Sequence, residues 1–473
     1  MEFPIANGFY RSESRPLSDQ EAVNCYPVIP TAPALSQECL FYIPGIKLRA
    51  TMPGEEGQAA RGLHVMDGVP YVVVGQKLWA IAPDFSVSLC GTILGNGSLS
   101  ITDNGDQLLI LEPGGHAYIY EKNATTLTEI TDSDFRANGN PQIAIFIDGY
   151  FCCTTDSKQF IVSDLNNGLV WNALDVGSAE SDPDIAVAPA KVGNRLFIFG
   201  GETAEEFQNI GGASFPFQRT GFILPKGLFA KFALVEAQGS LVWIGGGKNE
   251  SAAIWALSGN SYEKVSTGPI DELLKSLTID ELQSIYAWYY SDKGAFFCGF
   301  ALPKTTIVYD LSTKRWHERK SYVSGQLTAY RVSGFAKAYN KTICADTIDG
   351  RIGEILDSEL QEYGQTIIRR FTCQPFYNQG KSIFIPSIEL LMETGVGNSL
   401  CEEPVIEMEV SKNGKTWSQP RRRSVGKVGD YKRRVMWTRN GRFSNFGLLR
   451  FTFSDPAKFV VFKLIADVIG GIK

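Results

Sequence analysis

Between Ser411 and Arg450 stand twelve basic residues: Lys412, Lys415, Arg421, Arg422, Arg423, Lys427, Lys432, Arg433, Arg434, Arg439, Arg442 and Arg450. The only acid in that window is Asp430, so it carries +11 in a chain whose net charge is −6, which leaves −17 for the remainder. Guanidinium and ammonium groups bind carboxylates and phosphates, and such asymmetry within a globular chain points to an electrostatic partner. That partner is either an acidic protein surface or a phosphate backbone. The candidate interface is therefore Arg421, Arg422, Arg423, Lys427, Lys432, Arg433, Arg434, Arg439 and Arg442, with a set of solvated strand edges as the plain alternative. The whole chain has 45 basic and 51 acidic residues, which gives no sign of bulk nucleic-acid binding.

Metal or nucleophile chemistry has little support. The nine cysteines (Cys25, Cys39, Cys90, Cys152, Cys153, Cys298, Cys344, Cys373 and Cys401) are odd in number and contain no Cys-x-x-Cys pair. The three histidines, His64, His116 and His317, lie far apart. Neither set has the spacing of a zinc site, and buried free thiols made in a reducing cytoplasm are the expected state. No catalytic residue, cofactor or metal ligand is expected.

The elements that must hold the basic segment follow from a repeat. A tight polar turn between apolar strands recurs at Asp67-Gly68, Asn104-Gly105, Asp148-Gly149, Gly193-Asn194, Gln238-Gly239, Lys293-Gly294 and Asn340-Lys341. Successive spacings are 37, 44, 45, 45, 55 and 47 residues. Several strands per repeat of about 40–50 residues is the signature of a β-propeller, whose blades bury their faces only against neighbouring blades. The fold expected is all-β: a propeller of seven blades, alternatively six, over residues 61–360. The 55-residue spacing holds a short helical insertion at 269–285, where Thr278-Ile279-Asp280-Glu281 reads as a capping box.

Both ends depart from the repeat. Residues 1–60 carry Pro16, Pro27, Pro30, Pro33, Pro44 and Pro53 with little periodicity, as an extended arm laid on other surfaces would. Over 361–473 strands continue without the blade rhythm, and the alternation at Val405-Ile406-Glu407-Met408-Glu409-Val410 is that of a half-buried antiparallel strand. A C-terminal β-sandwich is expected there, carrying the basic segment. No 18-residue apolar run occurs, so no membrane span is expected, and the first residues have neither the basic nor the apolar region of a secretory signal.

Three stretches resemble a known family. Gly8-Phe9-Tyr10-Arg11-Ser12, Val23-Asn24-Cys25-Tyr26-Pro27 and Leu40-Phe41-Tyr42-Ile43-Pro44-Gly45-Ile46 form an opening block. Tyr286-Ala287-Trp288-Tyr289-Tyr290 and Thr306 to Arg319 form a middle one, and Met392-Glu393-Thr394-Gly395, Ser411-Lys412-Asn413-Gly414-Lys415-Thr416-Trp417-Ser418 and Arg434 to Phe443 a closing one. Their content and order resemble the packaged-DNA stabilisation proteins of short-tailed bacteriophages, which form the tail hub, also called the tail accessory factor or nozzle. The resemblance implies a non-enzymatic virion component, made in the host cytoplasm and assembled as a homo-hexamer below the portal and its adaptor ring. Such a ring prolongs the DNA channel, retains packaged DNA that passes without sequence-specific binding, and supports a tail needle, fibres or tailspikes. No catalytic or ligand residue carries over. Two other classes compete: a propeller glycosidase, because Ser411 to Trp417 superficially resembles the sialidase Asp-box, and a kelch-like interaction module, because Gly200-Gly201 and Gly245-Gly246 end blade strands.

Overall fold

A computed structural model describes residues 1–180, 184–211 and 215–471. Among these residues seven antiparallel four-stranded units follow one another, so the propeller has seven blades and not the alternative six. Blades one to five span residues 60–92, 100–129, 141–178, 188–224 and 234–264, blade six 286–323, and blade seven 332–356 with one strand from elsewhere. Innermost strands of adjacent blades touch, and Ala60–Met66 meets Val332–Ala338 to close the circle.

The continuous apolar runs become intelligible once both faces of each blade are seen to be buried. Along Val69–Val74, Tyr71 and Val73 enter the wedge between blades one and two, while Val72 and Val74 enter the wedge between blades seven and one. Cys152 and Cys153 likewise point into different wedges, after blade three and before it. All nine cysteines are free. Seven apolar clusters fill the seven inter-blade wedges, so no blade can bury its apolar surface alone.

Hairpin turns supply the rhythm seen in the sequence. Both central residues have positive φ at Asp67-Gly68, Asp148-Gly149, Gln238-Gly239 and Lys293-Gly294, as a two-residue turn matched to strand twist requires. In blade seven the turn is centred on Tyr339-Asn340, one residue earlier than the sequence pattern indicates, because Lys341 already pairs with Ala338. Helices Gly268–Lys275 and Ile279–Gln283 fill the connection from blade five to six, and the Thr278 capping box is formed.

The first 51 residues do more than an arm would. Gly45–Thr51 is the outer strand of blade seven, paired antiparallel with Arg351–Leu356. Cys25–Val28 and Cys39–Tyr42 join the strands Val460–Ala466, Ser387–Met392 and Val435–Thr438 in one sheet of the sandwich, and Glu2–Phe3 also pairs with Val460–Ala466. The opposing sheet contains Arg369–Thr372, Phe446–Phe453, Val405–Ser411 and Arg421–Ser424. Ala22–Val23 lies between that sheet and blade six, with Val23 facing Glu318 on one side and Arg370 on the other. Propeller and sandwich are therefore one continuous sheet at this seam. The sandwich is not built from C-terminal residues alone: Phe3, Ile5, Ala22, Cys25, Leu40 and Tyr42 share a core with Phe371, Trp437 and Phe451.

The Val-Asn-Cys-Tyr-Pro stretch is the staple at that seam. Fully buried Asn24 donates from its carboxamide to the carbonyls of Lys320 (2.8 Å) and Ile368 (2.9 Å) and accepts from the Lys320 amide at 2.9 Å. Tyr26 packs edge-on to Phe297 with ring centroids 5.0 Å apart. Gly45 enters blade seven where any side chain would collide, since a Cβ would lie 2.4 Å from the Gln361 carbonyl oxygen and 2.6 Å from that of Glu359.

Gly45→Ala should therefore cost about 3 kcal/mol through overpacking against fixed backbone. Gly68→Ala should cost about 1 kcal/mol, because Gly68 has φ +75° but open space around it. Chemical denaturation of the two variants measures both; equal shifts of the midpoint would contradict the ring-closing role of the Gly45 strand.

Candidate docking interface

The basic segment is built on the open edge of the sandwich. Along Val405–Ser411 the inward residues Ile406, Met408 and Val410 fill the core, which turns Glu407 and Glu409 outward. Pairing then sets Arg370, Thr452, Glu407 and Arg422 in one row across the outer face. Arg422 Nε lies 2.7 Å from Glu407 Oε1. In the next row the Arg450 guanidinium forks onto both Glu409 oxygens at 2.8 and 2.9 Å and stacks 4.0 Å from the centre of the Trp417 ring.

Carboxylates from preceding strands thus neutralise much of the charge. Arg434 grips Glu389 through two bonds of 2.6 and 2.8 Å, which holds the Glu389 carboxyl below its usual range. Lys427 pairs with Glu402 at 2.7 Å, while Arg433 lies 3.8 Å from Asp430 and 3.9 Å from Glu403. Residues 386–453, which fold together, hold twelve basic and seven acidic residues, a net +5 rather than the +11 of the shorter window.

The nine candidate residues divide by environment. Arg421 and Arg423 are largely committed to the fold: Arg421 donates to Asn440 Oδ1 (2.8 Å) and the Thr438 carbonyl (2.5 Å), and Arg423 to the Met436 carbonyl at 2.6 Å. Burial, then the neighbouring Arg423, lowers the pKa of Arg421. These bonds fasten strand Arg421–Ser424 to strand Val435–Thr438 of the opposing sheet. Arg442 stacks 5.8 Å from the centre of the half-exposed Phe384 ring. Arg422, Lys427, Arg433 and Arg434 are exposed and paired at the surface, where a pair contributes only about 0–1 kcal/mol and exchanges readily. Among the described residues Lys432 and Arg439 have no ion-pair partner, and both are exposed.

Apolar members of this surface escaped the sequence reading. The loop Val425–Arg434 turns at Gly426 and Gly429, both with positive φ, and exposes Val428 and Tyr431. It is braced by the neighbouring loop: the Gly395 amide donates to the Val425 carbonyl (3.0 Å), and Thr394 Oγ1 donates to the Tyr431 carbonyl (3.2 Å). The signal in the sequence was Tyr431 standing between Asp430 and Lys432 in a run with no strand pattern.

Other reactive groups are held apart or sealed in. His64 pairs with Asp103 and His116 with Glu129, each at 2.6 Å, in separate places on the first two blades. His317 is completely buried, and burial followed by the Arg319 charge pushes its pKa well down. Arg319 itself sits among the rings of Trp288, Tyr290, Phe297 and Tyr330 at 4.7–5.9 Å, a packing role at the junction of blades six and seven. Among the described residues no three His, Cys, Asp or Glu side chains gather as a metal site. The Ser411-to-Trp417 stretch is a local turn: Asn413 Oδ1 accepts from the amides of Lys415 (2.9 Å) and Thr416 (2.8 Å).

Arg421→Glu should destabilise the fold by about 3 kcal/mol and so lower the unfolding midpoint strongly, because a carboxylate replaces a half-buried donor to two acceptors. Lys432→Glu should change stability by less than about 0.5 kcal/mol, as an exposed surface site does. Thermal unfolding of both variants checks this division; a neutral Arg421→Glu would return Arg421 to the accessible surface.

Two family models match the sequence. One, described as the β-propeller of bacteriophage P22 Gp10, covers residues 1–360, and the other, described as the β-sandwich of bacteriophage P22 Gp10, covers 368–468. No curated protein matches. Among solved structures, the crystal structure of the WD40 β-propeller domain of Doa1 is similar over 66% of this chain and 97% of that chain, at 13% identity and a TM-score of 0.40.

Proposed function

The chain belongs to the bacteriophage P22 Gp10 family of structural phage proteins, and we propose that it is the hub of a short tail, standing below the portal and its adaptor ring. In this reading a homo-hexamer prolongs the DNA channel, retains packaged DNA, and supports a needle, fibres or tailspikes. The observation that carries it is the order of the two matched segments, which together span almost the whole chain. The work is mechanical rather than catalytic.

Physical features support the reading. Short, mostly outward-facing blade edges and a sandwich stitched to the ring give a body that resists deformation by confined DNA. The channel along the propeller axis, lined by Leu63, Ile101, Ile145 and Phe335 among others, has a volume of about 740 Å³. That is the size of a small-molecule pocket, about 300–1,000 Å³. DNA would therefore run between copies and not through the blades. The exposed cations of the sandwich, Arg422, Lys427, Lys432, Arg433, Arg434, Arg439 and Arg442, would face an acidic surface on the adaptor or on the next subunit. Four of them, Arg422, Lys427, Arg433 and Arg434, already lie beside carboxylates, which favours exchange with an acidic protein surface over tight phosphate binding.

Cryo-electron microscopy of particles tests the assignment. A six-fold ring of this chain at the exit of the portal and adaptor is expected. A stable dimer in solution that is absent from tails would overturn it.

A further inference from the structure

The outer strand of blade three, Asn167–Ser178, is the longest strand among the described residues, and its edge has no strand beside it. Its pairing with Gln159–Asp164 passes from Ile161 opposite Val176 to Ser163 opposite Trp171, so residues 172–175 bulge away from the blade. Bulges of this kind re-aim side chains. The bulge is firmly held: the Leu174 amide donates to Asn172 Oδ1 at 3.0 Å, and Asn138 Nδ2 donates to the Ala173 carbonyl at 2.8 Å. Leu174 at its tip is 80% exposed, and Val170 of the same strand is exposed too, as is Leu165 in the turn before it. Burial, then the Asp164 charge, raises the pKa of Asp175, and Glu180, which follows the strand, is paired with Arg219 at 3.4 Å. Edge strands are usually blunted by charge or cover; here the turn Asp134–Arg136 packs on part of the strand, with Asp134 accepting from the Ala173 amide at 3.4 Å, and the bulge leaves Leu174 exposed next to Asp175.

The opposite chemistry stands on the sandwich. In the loop Val425–Arg434, Tyr431 is 73% exposed and Val428 is exposed too. Lys427, Lys432 and Arg433 of the same loop are exposed; Lys427 is paired with Glu402 and Arg433 lies near Asp430 and Glu403, while Lys432 has no ion-pair partner among the described residues. The sandwich is stitched to blades six and seven, across the ring from blade three, so one copy cannot bring its own two surfaces together.

We infer that the bulged edge of blade three receives the basic, apolar loop Val425–Arg434 of a second copy of this chain. The inference rests on the ring-forming reading above and names the two surfaces that form the ring. Because they differ, the contact is head-to-tail, the type from which closed rings are made. Leu174 and Val170 meet Val428 and Tyr431 at the centre, while Asp164, Asp175 and Glu180 face Lys427, Lys432 and Arg433 at the rim. An apolar centre with a complementary charged rim is the ordinary anatomy of a protein interface.

A benzophenone amino acid at position 174 of the full chain tests the contact in assembled particles. The expected product is a cross-link between two copies, ending within residues 425–434. In parallel, Asp175→Lys and Lys432→Glu should each weaken assembly about tenfold, and the double variant should recover most of the loss. A cross-link from position 174 to another protein, or to a different part of this chain, overturns the contact while leaving the tail assignment standing. Absence of the wild-type chain from particles strikes the tail assignment instead. The same cross-link is then sought in the purified chain at high concentration, where its failure to form overturns the contact.

Discussion

Backbone pairing by the first 51 residues is the interaction on which the rest of this molecule depends. A propeller is a ring, and its last blade is incomplete until Gly45–Thr51 lies along Arg351–Leu356. The same segment, a few residues earlier, provides two strands and part of the core of the sandwich. Between those tasks, Val23 and Asn24 join blade six to the sheet that carries the basic edge. Most of these contacts span more than 300 residues of sequence, so their loop-closure entropy is met once, on folding, and the apolar wedges and shared core must offset it.

This arrangement explains what the recurring sequence elements are for. Gly8 runs beside Trp316, where a Cβ would lie 2.3 Å from the carbonyl oxygen, and the Phe9 amide donates to that same oxygen at 2.7 Å. Asn24 bonds to blade six and to the linker residue Ile368. Gly45 passes between the carbonyls of Glu359 and Gln361. The motifs of the opening block are therefore internal fasteners. The surfaces proposed above for partners lie elsewhere, on the exposed cations of the sandwich edge and on the outer strand of blade three.

The propeller was legible because its two local requirements leave marks in sequence: turns that need positive φ, and strands buried on both faces that read as continuous apolar runs. Blade seven shows the limit, since Tyr339-Asn340 carries no glycine and the pattern points one residue too far along the chain. The role of residues 1–51 was not legible. Its strands are two to seven residues long, are broken by proline, and find partners that only the tertiary fold brings near. The charge of the basic segment was plain, but its neutralisation by Glu389, Glu402, Glu403, Glu407 and Glu409 depends on strand register and loop packing. Leu174 was unreadable for a similar reason, because an extra-residue bulge turns outward a leucine that alternation would assign to neither face.

Propeller and sandwich form one unit through the N-terminal segment. Native-state hydrogen exchange tests it directly, since locally opening segments exchange through small fluctuations and integrated ones only on global unfolding. The amides of residues 23–28, 40–42 and 46–50 that lie in the ladders should exchange as slowly as those of central blade strands such as Val72–Val74 and core sandwich strands such as Leu448–Phe451. Fast exchange across residues 1–51, with both remaining parts still protected, would contradict the account and reduce that segment to a detachable arm.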